Sequence, residues 1–352
     1  MPTDPRTTPI RLTSLALLSC LGLAALTACE FPQGDKATGA RKDPAKKAPP
    51  AAPTPALTEA EVKTVLARYA LQSNLARKRL DPRLAGVAFT QSSLQMETAK
   101  YRVFKANKLR MSPVRYGQVL GASPLFSGHP RWFFAALTDR GSKPTTRDLV
   151  VFVQQGPGGP WRAAYTTLAT KPTQGPLGPG IDVVDNPQVV PLDDPSLALP
   201  PAQVPVSLAQ VLNQGVRVPQ AKGFLLPTWV RTRAGGPRAD RAAMKRSGWD
   251  LTGGYVASRQ PVYAVRTTSG GALVWSAVED HRRYRKGGAG NPMTWRHRNW
   301  GDMLKPFVGR SRVPRALTTV ERYEVLAYVP PRGKGRIRLL ADRWAVVDVR
   351  EG

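Results

Sequence analysis

The sequence predicts an α+β fold made of two helix-plus-antiparallel-sheet halves. Three observations carry that expectation. Each half opens on a helix-capping signal, continues with helical periodicity and then passes to short runs of strand composition. Each closes on a strand led by tryptophan, Trp161-Arg-Ala-Ala-Tyr and Trp344-Ala-Val-Val-Asp. Between them, residues 171–205 turn to proline, glycine and aspartate, the composition of a linker. The expected halves are therefore 58–170 and 206–352, and the repeated order suggests a duplication.

The elements follow in order. Thr58-Glu59-Ala60-Glu61 is a capping box, with Leu57 and Val62 placed as a hydrophobic staple. Val62, Val65, Leu66 and Tyr69 keep helical spacing, so a helix is expected to run to about Leu80 and stop before Asp81-Pro82. Ser92-Ser93-Leu94-Gln95 reads as the cap of a second helix that buries Leu94, Tyr101 and Phe104. Strands are expected at 114–120, 131–137, 149–154 and 161–167. The last two flank Gly156-Pro157-Gly158-Gly159-Pro160, which lacks the ending of a phosphate loop and joins strand to strand, so it reads as a hairpin turn. In the second half, Ser207-Leu208-Ala209-Gln210 caps a short helix ending by Gly215, and a further helix covers 238–246. Strands are expected at 255–258, 262–267, 272–278, 318–328, 336–340 and 344–349, with Ser269-Gly270-Gly271 as a hairpin signal. Asp182, Asp185, Asp193 and Asp194 lack EF-hand spacing and read as turn residues.

The N-terminus has the layout of a signal peptide. Arg6 and Arg11 precede an uncharged apolar run at 12–26, and small residues follow. Leu26-Thr27-Ala28-Cys29 resembles the bacterial lipobox, which implies removal of residues 1–28 and a diacylglyceryl (palmitate-type) lipid on Cys29. Two alternatives compete with it: an uncut membrane helix, for which the run is short, and a second lipobox-like site at Leu17-Leu18-Ser19-Cys20. The expected localisation is the extracytoplasmic face of the cell membrane, with the membrane itself as the first partner. Residues 29–57, rich in Pro, Ala and Lys, carry no hydrophobic period and read as a disordered tether.

Charge is the outlier of the composition. The 352 residues hold 52 Lys+Arg against 24 Asp+Glu, a net +28. Loss of residues 1–28 removes two arginines and one aspartate and leaves +27. Such a surplus attracts phosphates, carboxylates and anionic head groups. It is densest at Arg282, Arg283, Arg285 and Lys286, then at Arg296 and Arg298, and these six are the candidate anion-binding residues. An anionic wall polymer or lipid head group is the expected partner. Nucleic acid is not, because no recognition motif accompanies the interleaved aromatics.

The stretches Leu57–Leu80, Pro130-Arg131-Trp132-Phe133, 156–161 and Gly270-Gly271-Ala272-Leu273-Val274 resemble a family of actinobacterial lipoproteins whose main domain has no assigned function. The family brings no catalytic residues. The helix-then-sheet order is also similar to NTF2-like or cystatin-like folds, in tandem, a likeness that licenses no activity.

The search for chemistry is mostly one of exclusion. The only cysteines are Cys20 and Cys29, which leaves neither a disulfide framework nor a cysteine metal site. His129, His281 and His297 form no zinc motif, and no serine nucleophile motif occurs. Glu279-Asp280-His281 is the one tight acid–imidazole cluster. Adjacent strand residues point to opposite faces, so Glu279 and His281 should share one. The expected function is therefore a non-enzymatic binding or structural role at the envelope, without cofactor or metal. The alternative is an envelope hydrolase working through carboxylates or His281.

Overall fold

The computed structural model describes residues 52–139, 146–170, 182–288, 290–294 and 298–352. The expected signal peptide, Cys29 and most of the expected tether lie outside the described residues, as do Trp295, Arg296 and His297. Among the described residues, no helix is long and apolar enough to cross a membrane.

The first half begins with a short strand β1 (Thr54–Pro55). Three helices follow, α1 (Glu59–Arg79), α2 (Pro82–Ala88) and α3 (Gln91–Ala106). Then come β2 (Tyr116–Ala122), β3 (Leu125–Phe126), β4 (Arg131–Asp139), β5 (Thr146–Gln154) and β6 (Arg162–Thr170). The second half runs α4 (Gln203–Gln214), β7 (Phe224–Leu225), α5 (Thr228–Arg233), α6 (Gly236–Arg246), β8 (Trp249–Ala257), β9 (Tyr263–Arg266) and β10 (Ala272–Lys286). It ends with β11 (Met293–Thr294), α7 (Arg298–Val308), β12 (Arg312–Val313), β13 (Ala316–Val329) and β14 (Ile337–Glu351). The α+β class is as the sequence predicts.

The two halves share one sheet rather than forming two. Its strand order is β2-β4-β5-β6-β14-β13-β10-β8, with β9 also on β10 and β7 on β14. Each half thus supplies helices and then a four-stranded antiparallel run, and the last strands of the two runs meet. Residues 50–352 accordingly form one compact unit.

Strand alternation explains the layers. Trp132, Phe134 and Ala136 of β4 face Leu273, Trp275 and Ala277 of β10 in a shared core. Phe134 and Trp275 lie 5.0 Å apart, centroid to centroid, and Trp132 and Tyr263 lie 5.2 Å apart. The intervening residues Phe133, Ala135 and Leu137 point outward beneath the first helices, where Phe133 stacks on Phe152 at 4.9 Å and Tyr69 meets Phe152 edge-on at 5.0 Å. On the far side, Leu208, Val211 and Leu212 of α4 cover Tyr255, Val278, Tyr323 and Val325. The two half-sheets therefore pack face to face with helices outside both.

Several local expectations hold and several shift. Thr58 caps α1 reciprocally: Glu61 Oε2 accepts from the Thr58 N–H at 2.8 Å, and Thr58 Oγ1 accepts from the Glu61 N–H at 3.4 Å. Asp81-Pro82 stops α1 but also starts α2, because Asp81 Oδ1 accepts from the Arg83 N–H at 2.8 Å and proline suits the first helical turn. The cap expected at Ser92 is displaced: α3 begins at Gln91, and Ser92 and Ser93 are buried inside it. Part of the expected linker is built into the body. Leu197 and Val190 are core residues, Asp194 pairs with Arg266, and α4 starts at Gln203 rather than at Ser207. The strands expected at 336–340 and 344–349 are one strand, β14, irregular against β13 near Leu326/Ala327.

Two glycines of β8 allow close approaches, one to β10 and one to α4. Gly253 has φ +95°, and a Cβ there would lie 2.0 Å from the His281 carbonyl oxygen. Gly254 passes close to Asn213, whose side-chain amide bonds both the N–H and the carbonyl of Tyr255. Gly253→Ala is expected to cost at least ~1–3 kcal/mol, the usual range for backbone held where its residue is disfavoured. Chemical denaturation measures it, and a loss below about 0.5 kcal/mol would contradict this account of the β8–β10 contact.

Candidate functional site

The join between the half-sheets is unusual. β6 and β14 share one ladder pair, Asp342↔Leu168. Beside it, side chains replace the ladder. The Thr166 backbone N–H donates to Glu324 Oε2 at 2.9 Å, and Ser93 Oγ of α3 donates to Glu324 Oε1 at 3.3 Å. Arg343 of β14 donates to Thr166 Oγ1 and pairs with Glu97 of α3. Glu97 and Glu324 are both completely buried. Helix α3 thus ties both half-sheets together with ionisable groups, where an ordinary join would use backbone.

The electrostatics follow from burial. Desolvation would raise the Glu97 carboxyl, but the charges of Arg343, Lys100 and Arg77 outweigh it and hold the group below the usual carboxylate range. Glu324 is pushed above that range, chiefly by burial, although the Thr166 N–H pulls the other way. Burial and then the charge of Arg343 lower the Lys100 ammonium to about 8, against the attraction of Glu97.

A cleft of about 420 Å³ opens on this network. Arg77, Lys100 and Arg343 line it, with Tyr69, Asp148, Thr166, Asp342 and Trp344. Burial raises the Asp342 carboxyl, opposed by Arg233, and Asp148 accepts from Tyr116 Oη at 3.4 Å. Trp344 is 40% exposed and forms one wall, with its ring stacked toward Tyr323 and the Arg233 guanidinium 5.6 Å from its centroid. Among the described residues, Arg77 and Lys100 form no ion pair, and Arg77 Nε is buried without a hydrogen-bond partner. The cleft therefore presents the cationic groups of Arg77, Lys100 and Arg343 beside an aromatic wall, with the carboxyls of Asp148 and Asp342 also in its lining.

Of the six residues chosen from sequence, the four at 282, 283, 285 and 286 are divided between the two faces of one strand. Most of the basic run belongs to β10, which extends well beyond the strand expected at 272–278. Alternation puts Arg282, Tyr284 and Lys286 on one face and His281, Arg283 and Arg285 on the other. Arg282 is committed to structure: its Nε donates to Asp280 Oδ2 at 2.7 Å, and it also pairs with Asp240. Arg283 and Arg285 are exposed, Arg298 is the first residue of α7, and Arg296 lies outside the described residues.

The acid–imidazole cluster has the geometry alternation predicts. Glu279 and His281 share a face, with His281 Nε2 and Glu279 Oε2 2.7 Å apart. Arg322 and Ser258 also donate to Glu279 Oε1, at 2.6 and 2.8 Å. Burial would raise this carboxyl, but the His281 hydrogen bond and then the Arg322 charge hold it low. On the opposite face, Asp280 and Glu321 stand directly across from each other in β10 and β13. Both carboxyls are raised, mainly by burial, and Tyr323 Oη donates to Glu321 Oε2 at 2.5 Å. They are 1% and 7% exposed and offer a substrate no surface.

Sequence reasoning missed the seam residues, because Arg77, Lys100 and Arg343 come from three distant segments. One signal was available. Glu97 and Lys100 fall among the apolar positions of α3, where charges need partners.

A helix-covered, strongly basic α+β body with an ionisable seam defines the class of protein. Residues 53–351 match the family described as Domain of unknown function (DUF8094), and the chain belongs to that family. No curated protein and no solved structure matches the chain.

Proposed function

We propose that the chain is an exported, lipid-anchored envelope protein with a binding role, and that the seam cleft holds an anionic component of the envelope. One observation carries the binding half of this reading. Arg77 and Lys100 converge on one cleft without ion-pair partners among the described residues, next to Arg343 and an exposed tryptophan. The charge of Arg343 beside the Lys100 ammonium adds to the lowering that burial causes, and an arriving anion would offset that repulsion. The anchoring half rests on Leu26-Thr27-Ala28-Cys29 and the tether behind it.

The test uses glycerol phosphate, the unit common to phospholipid head groups and glycerol-phosphate wall polymers. Calorimetric titration of the full chain should show binding that weakens as salt rises. Arg77→Gln with Lys100→Met should weaken it about tenfold or more, the scale of one lost charge-assisted hydrogen bond. Arg283→Ser with Arg285→Ser should change it less than twofold. Equal losses from the two pairs would mean diffuse attraction to the net charge and would sink the cleft. The anchor is checked separately by intact mass in a bacterial host, where the native chain should carry lipid and Cys29→Ala should not.

The hydrolase reading rests on the raised Asp280–Glu321 pair. Their burial and the committed partners of Glu279 and His281 favour a structural role for both clusters.

A further inference from the structure

A second depression adjoins the seam cleft. It is a groove of about 600 Å³ between the C-terminal half of α1 and the segment 109–113. Its apolar lining is Leu71, Leu75, Leu80, Leu109, Met111 and Pro113. Leu71 is 73% exposed, Leu75 39% and Leu109 51%, a cluster of surface leucines with no cover among the described residues. Isolated exposed leucines are ordinary, but several lining one groove mark a binding surface. The groove is also built. Asn74 pins its wall by donating to the Val114 carbonyl and accepting from the Val114 N–H, both at 2.8 Å. Its rim is cationic, formed by Lys78, Arg110 and Arg77.

Arg77 lines both the groove and the seam cleft. A cationic, aromatic-walled chamber and an apolar trough thus meet at one guanidinium. Each volume lies in the ~300–1,000 Å³ range usual for small-molecule sites. A small hydrophilic anion would leave the leucines exposed, and a neutral hydrocarbon would leave the cations unmatched. The ligand that satisfies both is a molecule with the two chemistries joined.

We infer that cleft and groove form one site for a single anionic amphiphile, its charged head against Arg77, Lys100 and Arg343 and its alkyl chain along Leu71, Leu75 and Leu109. This rests on reading the seam cleft as an anion site and narrows that reading to a ligand class.

The experiment titrates the full chain with alkyl phosphates of eight to twelve carbons, below their micelle concentrations, beside glycerol phosphate and dodecyl maltoside. Dodecyl phosphate should bind far more tightly than glycerol phosphate. Affinity should rise up to about fourfold per added methylene, the factor for full burial of one CH₂. Leu71→Gln with Leu75→Gln, both at exposed positions and without added charge, should abolish that chain-length gain and leave glycerol phosphate binding unchanged. Equal affinity for dodecyl phosphate and glycerol phosphate would overturn the amphiphile and leave the anion site standing. Dodecyl maltoside binding as tightly as dodecyl phosphate would overturn it too, because the head would then contribute nothing. Adsorption to anionic vesicles with no affinity for the monomeric alkyl phosphates would overturn it in favour of surface docking. Failure of every probe would remove the anion site as well.

Discussion

Arg343→Met should be among the most damaging single substitutions in the chain. The arginine stands between two completely buried carboxylates, Glu97 and Glu324, and holds Thr166 of the neighbouring half-sheet. Removing one partner of a buried ion pair leaves uncompensated charge and typically costs ~3–5 kcal/mol. For a body of this size that is a fall in thermal midpoint on the order of 10 °C. The cost should depend on pH in a defined direction. In the native chain Glu97 lies below its ordinary value, so its stabilising contribution is present above that value and is lost as pH falls through the lowered one. Without Arg343 the same carboxyl is raised by burial, and its penalty is relieved by protonation. The gap between native chain and variant should therefore be widest near neutral pH and narrow toward pH 4. Arg350→Met is the control, since Arg350 pairs with Asp348 on the surface with 78% of its side chain exposed. It should change stability by less than ~1 kcal/mol. Equal effects from the two would show that the seam network contributes nothing special.

The second large effect is expected at Lys100. Its ammonium is lowered to about 8 from an ordinary value of 10.5, so the folded chain binds that proton more weakly than the unfolded chain does. Stability should then rise with pH between those two values, and the penalty should be full below about 8. Lys100→Met removes it. The variant should be more stable than the native chain at pH 7, and its advantage should shrink by on the order of 1–2 kcal/mol by pH 9.5. Denaturant titrations at the two pH values measure the change, and a constant gap would refute the account of Lys100. The same group links binding to protons. An anion in the cleft favours the ammonium, so affinity for glycerol phosphate should fall as pH rises through 8 to 9.5. Affinity flat across that range would mean that Lys100 does not face the ligand.

Much of the architecture was legible because local chemistry is written in adjacent residues. The capping box at Thr58, the glycine turn at 156–160 and the hairpin at Ser269-Gly270-Gly271 all form as their sequences predict. The class and the repeated order of helices then strands were equally readable. The single sheet was not, because strand pairing between Asp342 and Leu168 has no local signature. Charge density along the sequence is a poor guide to what shares a surface. A run such as Arg282-Arg283-Tyr284-Arg285-Lys286 looks like one patch in one dimension, yet on a strand it is divided between two faces and partly consumed by Asp240 and Asp280. The seam cleft draws single residues from α1, α3 and β14, and of these only Lys100, set among the apolar positions of its helix, stands out in its own window. What marks them is burial, which composition does not reveal.

A backbone ladder is indifferent to which residues form it; a join made of side chains is not. On the β6–β14 side the join is held by Ser93, Glu97, Thr166, Glu324 and Arg343, a handful of positions that a few point substitutions could rewrite. The strand pairing of each half-sheet and the core they share could persist while the opening at this join widened or closed. The shape of the mouth therefore depends on far fewer residues than the fold that frames it.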